Sequence, residues 1–361
     1  MSNGQTPQTP QSSPTREVGA RAGLRTKGSH RDTRRLAVAL RAAVFGVIAL
    51  GCSETRDLGS TSPHGLLPVD ERNPVVLAND NVSDNWQGVY AMLLASSGGP
   101  KLAGIIVNTS PPWPVIEDNV AGWQGLVAAA RGSGLRDIPD PIVSIGARLV
   151  RPASGQIADT TPNRSGGAHF IVDASRQLSL PYRPLVVVTG GRLTDVADAF
   201  LIDPTVTDRV VVVSSLGSAT DTGGSMAAPN GEMDPWADAI VAARFRFVQV
   251  SAFYDQLSDV PNSRLSQLPD NPLGAWIAEK QPKILSIVAA ADQVAIMAVS
   301  IPSFTVAVQR VSATTVGPGA TVGPDLVTGP DGNAWLVSQS SSAEASDRFW
   351  RVLLDPATYR P

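Results

Sequence analysis

A chain of 361 residues, 43% hydrophobic and 17% charged, has room for one large folded domain or two modest ones. Its formal net charge of −3 is unevenly spread: the first 50 residues hold eight Lys/Arg against two Asp/Glu, and the rest hold 21 against 30. A mildly acidic body argues against a nucleic-acid surface built on phosphate contacts.

One cysteine, Cys52, excludes an internal disulfide. Residues 1–30 are rich in Ser, Thr, Pro, Gly and Gln without apolar period, and read as disordered. Arg31, Arg34, Arg35 and Arg41 follow, then the apolar run 42–50 and Gly51-Cys52. Positive charge, a short apolar core and a small residue before the cut have the form of a secretory signal peptide, too short to span a bilayer. A cysteine directly after the core looks like a bacterial lipoprotein signal, with Cys52 as the lipid attachment site. The expected division is therefore 1–52 as leader and signal peptide, 53–73 as a flexible tether and 74–361 as the folded domain. The expected location is the cell envelope, through an N-terminal lipid in the membrane.

Past residue 74 the pattern is ordered. The run 75–78 (VVLA) predicts a buried strand, followed by an apolar helical pattern at 86–95. A second buried strand covers 102–107 (LAGIIV), and 110–114, with three prolines, is a loop. Residues 120–131 are helical in pattern, ended by Gly132 and Gly134. A third strand covers 142–145, and 147–180 reads as one long polar, Gly-rich loop. The fourth strand, 185–188 (LVVV), is continuously apolar and mostly β-branched, as a parallel strand covered on both faces would be. The turn Thr189-Gly190-Gly191 leads to a helix at 193–201 and a fifth strand at 210–214. A Gly/Ser-rich loop at 215–231 precedes a helix at 235–243 and a sixth strand at 246–251. Helices are predicted at 274–279 and 284–299, then hairpin-like pieces and a last helix near 346–354. Apolar strands alternating with helices predict an α/β fold: a mostly parallel, doubly wound sheet with helices on both faces.

The turn after the first strand carries Asp80, Asp84 and Asn85. Acids there sit at the carboxyl end of a strand, where such folds leave an open crevice. Further pieces follow in order: Gly104-Ile105-Ile106-Val107, then Thr189-Gly190-Gly191-Arg192-Leu193-Thr194-Asp195, then Asp203-Pro204 before an apolar strand. After the Gly-rich loop comes Asn230-Gly231-Glu232-Met233-Asp234-Pro235-Trp236-Ala237-Asp238, and late in the chain Ala291-Asp292 precedes an apolar run. In this order, over about 75 to 355, the pieces resemble the inosine–uridine nucleoside hydrolase family.

The resemblance implies a hydrolase of the N-glycosidic bonds of nucleosides or related ribosyl compounds, working through a calcium ion. By position, Asp80 would be the general base and a metal ligand, with Asn85, the Thr189 carbonyl and Asp292 as the other ligands. Asp84 and Asn230 would bind the sugar. The family also implies a small-molecule nucleoside or sugar as partner and a homo-oligomer, while the acidic body speaks for no nucleic acid. Asn85 stands where the family has a second aspartate, which removes a charge and weakens the calcium site. Ala228 stands where it has a sugar-binding glutamate, unless Glu232 reaches in, and Ala291 where some members have a histidine.

Other readings stand beside these. Asp80, Asp84 and Asp292 would also serve as helix caps, and Asn230 as a turn former. His169 reads as a surface residue, and Trp113, Trp123 and Trp236 as packing residues. The function therefore has an alternative: a catalytically impaired nucleoside- or sugar-binding lipoprotein of the same fold.

Overall fold

Along each central strand, alternate side chains go to opposite faces of the sheet, and the sequence makes both sets apolar. In β1 (Val75–Asn79), Val75 and Leu77 pack into one core and Val76 and Ala78 into the other. The computed structural model describes residues 67–82, 86–215, 229–250, 262–284, 292–301, 304–313, 326–328 and 332–359. All of them lie in the compact unit Thr55–Pro361.

After β1 come α1 (Trp86–Ser96), β2 (Leu102–Val107), α2 (Ile116–Gly132), β3 (Pro141–Val143), α3 (Gly166–Leu178) and β4 (Leu185–Thr189). Next are α4 (Thr194–Ile202), β5 (Val210–Ser215), the short α5 (Pro229–Glu232), α6 (Pro235–Arg244) and β6 (Arg246–Val250). The chain continues through α7 (Pro272–Ile284), α8 (Gln293–Ser300), β7 (Thr305–Ala313), β8 (Leu326–Thr328), β9 (Ala334–Ser340) and α9 (Ser342–Leu354).

Among the described residues these strands form one nine-stranded sheet, in the order β3-β2-β1-β4-β5-β6-β9-β7-β8. Strands β1 to β6 and β9 pair in parallel, while β7 is antiparallel to both β9 and β8. One face is covered by α1, α2, α7, α8 and α9, the other by α3, α4 and α6. The predicted architecture is thus present. Burial of each Val in β4 and β5 contributes about 1.5–3 kcal/mol, so the sheet centre is the stable frame on which the loops are held. The strand order reverses between β1 and β4, where the chain departs in opposite directions and leaves a crevice at the carboxyl ends.

Several boundaries differ from the sequence reading. The folded chain is already in place at Leu67: Leu67 and Val69 are buried in the core, and Asn73 Nδ2 donates to the Pro184 carbonyl (2.8 Å). The last seven residues assigned to the tether therefore belong to the domain; Pro63, Gly65 and Pro68 gave the segment the composition of a linker. The loop expected over 147–180 contains α3, capped by Ser165, whose hydroxyl accepts from Ala168 N–H. Glycines at the first two helical positions hid it. Of the helix expected over 284–299, the part from Gln293 is present as α8 (Gln293–Ser300), and 285–291 lie outside the described residues. Among the described residues, no helix is long and apolar enough to cross a membrane.

Candidate active site

The chain leaves β4 through Gly190 and Gly191, at the point where the strand order reverses. A Cβ on Gly190 would stand 2.4 Å from Asn79 Nδ2 and 2.5 Å from Asp292 Oδ2. A Cβ on Gly191 would lie 3.5 Å from both the Asp80 carboxyl carbon and Asn108 Oδ1. Four polar side chains, from the ends of β1 and β2 and the start of α8, thus close around one glycine pair, and only glycine fits at 190.

Asp80 is 2% exposed. Its N–H donates to Asn79 Oδ1 (2.7 Å), and its Oδ1 accepts from Asn81 N–H (2.6 Å). Trp123, buried in the core on α2, donates Nε1–H to the Asp80 carbonyl (3.2 Å). Burial raises the Asp80 carboxyl above its ordinary range; the Ser110 hydroxyl, the nearby backbone N–H groups and the Arg192 charge oppose that rise. Asp292 occupies the N-cap position of α8 but makes no side-chain cap bond there. Instead its Oδ2 accepts from Asn79 Nδ2 (3.1 Å).

Beside this pair lies a network that positions the crevice walls. Asp195 on α4 accepts from Asn108 Nδ2 (3.1 Å), Ser144 Oγ (2.6 Å) and Ser165 Oγ (2.8 Å). Asn119 on α2 donates to the Asn108 carbonyl (2.9 Å) and accepts from Asn81 Nδ2 (2.8 Å), joining the turns after β1 and β2. Asp234 caps α6 and also accepts from Thr194 Oγ1 (2.6 Å) and Leu149 N–H (3.0 Å). Asp198 accepts from the N–H groups of Arg164 and Ser165. Trp236 donates to Thr160 Oγ1 (3.0 Å), with Arg151 over its ring. The segment 147–165 is therefore pinned at several points.

Arg192, 7% exposed, donates through Nη2 to Thr109 Oγ1 (2.7 Å) and the Gly146 carbonyl (2.9 Å). Burial lowers its proton affinity, Asp234, Asp195 and Asp80 raise it, and Arg148 lowers it. A guanidinium stays charged throughout. Buried polar atoms without hydrogen-bond partners gather at this end of the sheet: Asn108 Oδ1, Thr189 Oγ1, Arg192 Nε and both amide atoms of Gln293. Orphaned groups of both donor and acceptor type suit a polar ligand.

Of the residues singled out in the sequence, Asp80, Thr189 and Asp292 come together here. Asn230 lies at the end of β5, its Nδ2 donating to the Ser215 carbonyl (2.7 Å). Asp84, Asn85, Cys52, Ala228 and Ala291 lie outside the described residues. Glu232 is exposed at the end of α5, and His169 is exposed on α3. Trp123 and Trp236 are packing residues. Among the described residues, no three His, Cys, Asp or Glu side chains converge as a metal-holding group. The expected ligand set holds two carboxylates only. Asn79, Asn108, Arg192 and Asp195 escaped the sequence reading. Their signal was a polar residue directly after an apolar strand, at 79 and 108, and a charge flanked by Gly191 and Leu193, at 192.

No family profile and no curated protein matches the sequence. Solved structures do. An inosine-guanosine nucleoside hydrolase aligns at TM-score 0.56 and 16% identity, covering 80% of this chain and 99% of that one. A plant nucleoside hydrolase aligns at TM-score 0.54 and 14% identity, over 78% and 100%. A purine-preferring ribonucleoside hydrolase from Gardnerella vaginalis aligns at TM-score 0.51 and 16% identity, over 78% and 99%. The likeness is one of fold, and it spans nearly the whole of each of those chains.

Proposed function

We propose that this chain is a divergent nucleoside hydrolase that cleaves the N-glycosidic bond of nucleosides or related ribosyl compounds, with Asp80 as general base. The observation that carries this is the convergence of Asp80 and Asp292 on Gly190-Gly191, at the reversal of strand order. Cleavage of such a bond builds positive charge on the sugar ring, which buried carboxylates stabilise. Burial makes the Asp80 carboxylate a stronger base than an exposed one, suited to take a proton from an attacking water. Trp123 and Asn79 hold its backbone so that the carboxylate meets the water at a fixed place.

The donor set fits a hard divalent cation of the calcium kind. Asp195, Asp198 and Asp234 are each filled by two or three protein N–H or O–H donors and serve the walls, while Asp80 and Asp292 are the carboxylates that meet at the glycine pair. Asp80, Asp292 and the Thr189 carbonyl would hold the ion, with Asn85 as the fourth ligand and Asp84 and Asn230 on the sugar. Bound there, calcium would acidify water and grip ribose hydroxyls. Export and lipid attachment at Cys52 belong to the same proposal and rest on the sequence of 31–52. The alternative, a binding protein without catalysis, draws support from Asn85 and Ala228, which stand where the family has an aspartate and a glutamate.

The test is ribose release from inosine, uridine and adenosine by the purified chain, with calcium or with chelator. Release that Asp80→Asn abolishes supports the hydrolase. Nucleoside binding without release replaces it with the binding protein.

A further inference from the structure

Arg192 is buried, yet its position is not that of a structural ion pair. A buried guanidinium is ordinarily matched by a carboxylate in direct contact, often through two parallel hydrogen bonds. Here Nη2 alone makes both hydrogen bonds, and both acceptors are neutral oxygens, Thr109 Oγ1 and the Gly146 carbonyl. Its Nε–H is buried and meets no acceptor. Asp195 and Asp234 lie within electrostatic reach but do not touch it, and their oxygens already take three donors each.

Arg148 sharpens the point. It is exposed, two residues from the carbonyl that anchors Arg192, and close enough for the two positive charges to oppose each other. Among the described residues, neither arginine is in an ion pair. A buried guanidinium with an unfilled Nε–H, beside a second positive charge at the surface, is an arrangement that an oxyanion completes. Arg192 stands beside the acidic floor of Asp80 and Asp292, since it directly follows the glycine that abuts Asp80.

We propose that Arg192 and Arg148 form an oxyanion subsite at the rim of the pocket, so that the ligand is a ribosyl compound carrying a phosphate or carboxylate rather than a neutral nucleoside. This rests on the ribosyl reading of the floor. The anion has two sources, a phosphate on the sugar or a carboxylate on the base, and both present the same planar or tetrahedral oxygens to the guanidiniums.

Isothermal titration of the full chain separates these. The ligands are inosine, inosine 5′-monophosphate, uridine, orotidine (uridine with a carboxylate on its base) and inorganic phosphate. The expected result is a preference of about tenfold or more for one anionic compound over its neutral parent, shrinking as salt rises. Tighter binding of the monophosphate places the anion on the sugar; tighter binding of orotidine places it on the base. Arg192→Met should bring the preference close to equality, and Arg148→Met, at an exposed position, should reduce it. Equal or tighter binding of the neutral parents overturns the proposal, as does a preference that survives both substitutions. Phosphate binding that needs Arg192, without binding of any ribosyl compound, keeps the subsite and removes the ribosyl reading. If nothing binds, both fall.

Discussion

Asn79 and Asp292, 213 residues apart along the chain, meet through one hydrogen bond of 3.1 Å from Asn79 Nδ2 to Asp292 Oδ2. The bond fixes α8 against the end of β1 and so sets the spacing of the two carboxylates. Asn79→Ala removes a donor from a buried carboxylate and should cost about 1–3 kcal/mol. Urea denaturation measures that loss, and calcium affinity by titration should weaken alongside it.

Asp80→Asn should separate chemistry from stability. Loss of a general base lowers the rate of ribose release by about 10²–10⁴-fold. Stability moves the other way. The folded carboxyl is raised above its ordinary value of 3.8, so the folded state is penalised wherever the group is ionised. At pH 7 in chelator the variant should melt higher than the wild type. The gap should shrink as pH falls through the raised folded value and be gone below the ordinary one, where the carboxyl is neutral in both states. A variant that melts lower at pH 7 would show that the Asp80 charge is stabilised in the fold.

Gly190→Ala places a methyl where Asn79 Nδ2 and the Asp292 carboxylate already stand, at 2.4–2.6 Å. Overpacking of this kind costs about 1–3 kcal/mol, and the relief available is displacement of Asp292. The protein should still fold, with a lower melting temperature, while ligand and calcium affinity fall far more than in Asn79→Ala.

Asp203 offers a check away from the crevice. The Thr205 hydroxyl, together with Arg209 and Arg176, holds its carboxyl at about 2, against an ordinary 3.8. A depressed carboxylate stabilises the fold above its ordinary value and loses that contribution as pH falls through the folded one. Asp203→Asn should therefore lower the melting temperature at pH 7. Its difference from the wild type should shrink between about pH 4 and pH 2, as thermal melts would read.

Much of the sheet was legible because its strands are buried on both faces. The apolar–polar alternation of a half-exposed strand is absent from LVVV at 185–188 and VVVVS at 210–214, and only a covered parallel strand tolerates that. Helix α3 was not legible, because it opens on Gly166-Gly167. Those glycines answer to tertiary contacts: a Cβ on Gly167 would stand 2.8 Å from Ser144 Oγ and 2.9 Å from the Asp195 carboxyl carbon. Asp80 and Asp292 were found because acids at strand ends and before helices carry a recognisable order. Asn79, Asn108 and Arg192 were not. Locally they look like turn residues, and their meaning comes from partners more than 80 residues away.

The pocket at the strand reversal draws on β1, β2, β4 and α8, so no contiguous half of the chain contains it. Ligand occupancy and cooperative unfolding are then a single linked equilibrium. A ligand at a hundredfold excess over its Kd should add about 2.7 kcal/mol to the stability of the entire domain. A chain ending before residue 292 should gain nothing from the same ligand. A melting curve thus becomes a search instrument that needs no knowledge of the reaction, since any compound that fits the crevice must report itself by holding the whole sheet together.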